Sequence, residues 1–157
     1  MIAAVNGPAY GGGCEFVLQA DIAVCGESAR FCLPEVTLGF VPGRGGTQRL
    51  PILAGRAAAS YMILTGQPIP ARRALELGLV VEVCADRHTL ARAIDIARLV
   101  AAHPAEAVQI AKALIKSTYT HLDAGLQYEA RSFELLMGTD TSKALTRHFL
   151  ERRAAGS

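Results

Sequence analysis

Two glutamates stand beside glycine-rich turns. Glu15 follows Gly11-Gly12-Gly13-Cys14, and Glu35 sits in Leu33-Pro34-Glu35-Val36, just ahead of Gly39. Two carboxyl groups on one small substrate can divide acid and base work between them. If they met in one apolar cleft, mutual repulsion would favour a shared proton, leaving one acid and one base. The glycine run leads into a stretch with helical spacing. Its backbone N–H groups, unobstructed by any Cβ and backed by the helix dipole, are suited to an anion such as a carbonyl oxygen gaining charge. It is not a phosphate loop, because no Lys-Ser or Lys-Thr follows at the required spacing. Each feature also has a purely structural account. A glycine run joins a strand to a helix, a carboxylate in a first helical turn is favoured by the dipole, and an acid after Pro34 suits a surface loop. Spacing alone does not bring the two acids together.

The elements that must position these residues can be read from apolar runs and their punctuation. Residues 1–5 form a short apolar run that stops at Asn6-Gly7-Pro8, as a buried strand entering a loop does. Residues 14–20 have helical spacing, residues 22–25 read as a second strand and residues 30–32 as a third. Gly43-Arg44-Gly45-Gly46 opens a short helix through Leu50, and an Ala-rich helix over residues 56–64 stops at Gly66. Pro70 suits the first turn of a helix over 71–77 closed by Gly78, and residues 79–83 read as one more strand. From Thr89 onward the pattern is helical: 89–102, 105–117, 122–137 and 142–153. The reading is therefore an α/β chain with a strand-bearing part over 1–85 and a helical module over 86–157.

Composition narrows the functional classes. Apolar residues make up 51% and charged residues 19%, a globular rather than disordered balance. Apolar stretches are interrupted well before the ~20 residues of a membrane-spanning helix, so none is predicted. The net charge of +2 is spread along the chain, which predicts no nucleic-acid partner. Cys14, Cys25, Cys32 and Cys84 show no CxxC spacing, and His88, His103, His121 and His148 lie apart, so no metal site is expected. No basic segment followed by an apolar core marks a secretory signal, and a cytoplasmic location is expected.

Taken together, the segments resemble the enoyl-CoA hydratase/isomerase (crotonase) family over nearly the whole chain. Ile2-Ala3-Ala4-Val5-Asn6-Gly7, Gly11-Gly12-Gly13-Cys14-Glu15, Asp21-Ile22, Pro34-Glu35-Val36, Pro42-Gly43, Gly45-Gly46-Thr47-Gln48-Arg49-Leu50, Leu64-Thr65-Gly66 and Ala74-Leu75-Glu76-Leu77-Gly78-Leu79-Val80 occur in family order. The resemblance implies a partial β-β-α spiral core followed by a helical module that builds trimers, which can pair into hexamers. It implies an acyl-CoA thioester as substrate, no cofactor beyond the coenzyme A carried by that substrate, and syn addition of water to a 2-enoyl-CoA. Glu15 and Glu35 match both acidic positions of the hydratases, Glu15 working mainly on the water and Glu35 on the α-carbon proton. Gly12 matches one of the two amides that hold the thioester oxygen, and Gly43 a backbone position near the water. Phe149 and Arg152 resemble tail positions that meet the adenine and 3′-phosphate end of the coenzyme.

Two departures qualify what the resemblance implies. Arg44 stands where many hydratases carry a small residue. The family has a sizeable N-terminal portion ahead of the strand at Ile2, to which the second oxyanion donor and much of the coenzyme surface belong. Branches that isomerise, decarboxylate or hydrolyse thioesters often keep only one of the two acids, so the pair favours hydration. The competing expectation is a catalytically silent coenzyme-binding or assembly piece, completed by another polypeptide.

Overall fold

The computed structural model describes residues 1–39, 41–117, 138–141, 143, 144, 147, 151 and 154. Two compact units divide between Arg98 and Leu99. The first holds the strands β1 (Ile2–Val5), β2 (Pro8–Tyr10), β3 (Ile22–Gly26), β4 (Arg30–Cys32), β5 (Ile69–Pro70) and β6 (Glu82–Cys84), with the helices α1 (Gly12–Gln19), α2 (Gly46–Thr65) and α3 (Ala71–Glu76). Helix α4 (Thr89–Ala101) runs across the division, and α5 (Ala105–Ser117) lies in the second unit. The helices expected over 122–137 and 142–153 fall wholly or partly outside the described residues.

The strands form two sheets of three, ordered β1-β3-β6 and β2-β4-β5. Each β-β-α turn of the chain gives its first strand to one sheet and its second to the other. Thus β1 pairs parallel with β3, with Ile2 opposite Ile22 and Val5 opposite Cys25, while β2 pairs parallel with β4, with Tyr10 opposite Cys32. The crossovers are long because parallel neighbours require them. Helix α1 fills the first and the segment from Glu35 through α3 occupies the next. This is the spiral that the sequence implied, in partial form.

The core lies beneath these elements: Cys14, Val17 and Leu18 from α1, Val5, Cys25 and Phe31 from the strands, and Leu50, Ala59 and Met62 from α2. Helix α2 breaks at Gly55, whose φ of 78° and ψ of 158° suit glycine, so the expected pair of helices on either side of residue 55 is present as one kinked element. The strand expected over 79–83 is shorter and later. Leu79 and Val80 are buried, but they follow α3 in a turn held by the Leu79 N–H to Ala74 O bond of 2.9 Å; the ladder to β3 opens with the Val81 N–H to Ala23 O bond of 2.8 Å, and Glu82 is the first residue in register with it. Arg92 of α4 grips Glu82 through Nε at 3.0 and 2.9 Å, tying the start of α4 to β6.

Candidate active site

Glu15 lies in the first turn of α1, where helical phase turns it inward with Cys14, Val17 and Leu18. Its N–H closes the first turn onto Gly11 O at 3.0 Å, and Gly11 N–H donates to Cys32 O at 2.9 Å, pinning the helix start to β4. Gly11 has φ 54° and ψ −124°, a conformation essentially reserved for glycine. The exposed Gly12 and Gly13 follow, with nothing within 4 Å of a Cβ at either position. The start of α1, where a helix leaves its first amides without intrahelical partners, is therefore unobstructed by side chains at these two positions.

Glu15 is 3% exposed, and Oε1 accepts two backbone bonds, from Arg44 N–H at 2.7 Å and Gly46 N–H at 2.9 Å. A carboxylate taken out of water needs such donors. The sequence reading missed both, since backbone donors carry no side-chain signal; the hint was the Gly45-Gly46 pair. Gly45 takes the left-handed conformation at φ 98°, and Gly46 is so closely packed that a Cβ would lie 3.2 Å from Glu15 Oε1 and 2.9 Å from Pro42 Cβ. Gly43 lies one residue before Arg44 in the same exposed loop.

Glu35 opens a 3-10 turn, Glu35–Leu38, absent from the sequence reading. Thr37 caps that turn, its N–H and Oγ1 both donating to Pro34 O, at 2.9 and 2.7 Å. Gly66 packs behind it, where a Cβ would meet Thr37 Cγ2 at 2.7 Å. Glu35 is 6% exposed, and Oε2 is buried with no hydrogen-bond partner among the described residues. Its Oε1 lies 3.3 Å from where a Cβ on Gly11 would stand, so this carboxyl group abuts the start of α1.

Cys14 reports both acids at once. Burial pushes its thiol up from 9.0 to about 12; a backbone hydrogen bond with Cys32 opposes this, and repulsion from Cys32, Glu35 and Glu15 adds to it. Burial likewise raises Cys32, with Glu35 the second cause. Both carboxyl groups thus bear electrostatically on one buried thiol of α1. Phe149 and Arg152 lie outside the described residues. Among the described residues no cluster of three or more His, Cys, Asp or Glu could hold a metal ion, and no helix is long and apolar enough to cross a membrane.

A buried acid fixed by two amides, a second with an unpartnered oxygen, and an open helix start between strands of a two-sheet spiral together define a class. Residues 1–156 match the family model for enoyl-CoA hydratase/isomerase, and the chain belongs to that family. It is 46% identical over 154 residues to the 2,3-dehydroadipyl-CoA hydratase of Escherichia coli K12, covering 98% of this chain and 60% of the relative. It is 39% identical over 154 residues to the short-chain-enoyl-CoA hydratase of Clostridium acetobutylicum, covering 98% and 59%. Among solved structures, an enoyl-CoA hydratase from Geobacillus kaustophilus superposes with a TM-score of 0.93 at 37% identity, covering 97% of this chain and 60% of that one. The chain spans about 60% of the length of the curated relatives it matches.

Proposed function

We propose that the chain carries the acid–base half of an enoyl-CoA hydratase site, adding water across the double bond of a 2-enoyl-CoA thioester. The observation that carries this reading is the buried, unpartnered Oε2 of Glu35 beside the amide end of α1, where an unmet polar atom is costly unless a substrate or water meets it. Glu15, with Oε1 held by two amides, keeps its other oxygen for the water. It takes one proton from that water as the oxygen bonds to the β-carbon. The displaced electron pair moves to the thioester oxygen, where the Gly12 N–H stabilises the enolate-like charge. Glu35 delivers its proton to the α-carbon as the carbonyl re-forms. A proton then passes from Glu15 to Glu35 and resets the pair.

Gly43 lies beside the Glu15-binding amides, which supports a water-orienting role for its N–H. Phe149 and Arg152 are assigned to the coenzyme, and assembly as a trimer or hexamer and a cytoplasmic setting belong to the same reading. The test is the absorbance of the conjugated enoyl thioester, followed with the purified chain. Steady loss that Glu35→Gln abolishes is expected. No loss above background, or loss unchanged by Glu35→Gln, overturns the reading.

A further inference from the structure

The two amides that hold Glu15 belong to the peptides 43–44 and 45–46, and the peptide between them is clamped from both sides. Its carbonyl, Arg44 O, accepts from Gln19 Nε2 at 3.2 Å and from Arg49 Nη1 at 2.9 Å. Gln19 lies one helical turn beyond Glu15 on α1, and Arg49 lies in the first turn of α2. The same loop is tied to α1 a second time, through the Arg44 guanidinium 5.9 Å from the centre of the Phe16 ring. Gly45 supplies the left-handed turn that lets peptides 43–44 and 45–46 aim at one oxygen. A Cβ there would lie 1.8 Å from Arg49 Nη1, so the guanidinium occupies the space a side chain would need.

We infer that Gln19 and Arg49 are positioning residues for Glu15, acting through the Arg44 carbonyl. Their hydrogen bonds go to the loop carbonyl and not to the carboxylate itself. With the middle peptide fixed, the Arg44 and Gly46 N–H groups converge on Oε1 and hold the carboxylate in one rotamer. Without the clamp the peptide 44–45 is free to rotate, and either amide can turn away. Neither side chain carries an obvious chemical signal in the sequence. Arg49 is a helix-surface cation there, and Gln19 the end of a helix.

The inference rests on Glu15 as the residue that handles water, and the experiment separates the two. Arg49→Met, Gln19→Leu, Arg49→Lys and Glu15→Gln are compared in the full chain by two readouts. In ¹H–¹⁵N spectra the Arg44 and Gly46 amides are expected to move, and to lose hydrogen-exchange protection, in Arg49→Met and Gln19→Leu as they do in Glu15→Gln, with partial recovery in Arg49→Lys. In turnover, kcat is expected to fall about tenfold in Arg49→Met with KM nearly unchanged, and adding Arg49→Met to Glu15→Gln should cost nothing more. If the two amides respond to Glu15→Gln but not to loss of Gln19 or Arg49, the clamp is refuted while the acid–base reading stands. If they respond to all three but Glu15→Gln turns over normally, the clamp stands and the role of Glu15 is refuted. Should Arg49→Met fail to fold, Gln19→Leu carries the same comparison.

Discussion

Replacing Glu35 with Met should stabilise the protein while silencing it. Glu35 is buried to 6% exposure, and its Oε2 has no partner among the described residues. Leaving such a polar atom unpaired costs ~1–3 kcal/mol, and Met matches Glu in length while removing both oxygens. The Glu35 side chain is itself buried, so a Met in its place is removed from water as well. The expected gain is therefore ~1–3 kcal/mol. For a urea slope of ~2 kcal/mol/M this moves the unfolding midpoint up by ~0.5–1.5 M. Far-UV circular dichroism follows the transition, since the chain has no Trp. Glu35→Gln keeps a polar group in place and should gain less. A midpoint for Glu35→Met at or below that of the parent would show that Oε2 is satisfied, and the argument that this oxygen awaits a substrate would fall. Stability traded for a functional carboxyl is the pattern expected of an active site.

Three further outcomes follow from the same geometry. Gly12 is the first residue of α1, a position that tolerates proline, so Gly12→Pro removes the N–H proposed to hold the thioester oxygen, with little change in the melting transition. Turnover should drop ~10²–10³-fold, and a smaller loss would remove that amide from the mechanism. Gly46→Ala places a Cβ 2.9 Å from Pro42 Cβ and 3.0 Å from Leu33 Cδ1, so urea unfolding should reveal a loss of ~1–3 kcal/mol together with reduced turnover. Burial holds the Cys14 thiol at about 12 and the Cys25 thiol at about 11, both above 9.0. The folded state therefore keeps protons that the unfolded state releases. Their contribution is whole below about pH 9 and erodes through the interval up to about 12, by at most ~4 kcal/mol for Cys14. Urea midpoints should fall as pH rises across that window, and Cys14→Ala should flatten the fall.

What the sequence revealed and what it hid follow a physical line. The strands β1, β3 and β4 and the kinked pair within α2 were legible because apolar runs and glycine stops are local signals. The short strands β2 and β5, of three and two residues, were not, for they exist only through β4, which pairs with both. The 3-10 turn of Glu35 depends on Thr37 bonding back to Pro34 O, a contact that no periodicity announces. Both acids were identifiable by type and by their glycine neighbours. Their burial and their shared neighbour Cys14 were not, because these arise where α1 and β4 meet. The amides of Arg44 and Gly46 and the clamp of Gln19 and Arg49 were hidden for a related reason. Backbone donors have no residue code, and the clamp joins positions far apart in the chain.

The central claim is that Glu15 and Glu35 add the elements of water across a conjugated thioester. Its most direct measurement is the product formed from a 2-enoyl-CoA in deuterium oxide, read by mass spectrometry and NMR. The account predicts a 3-hydroxyacyl thioester with one solvent deuterium on the α-carbon, formed by the parent chain and by neither Glu15→Gln nor Glu35→Gln. A product that gains no water, or one formed equally by the two variants, would contradict it.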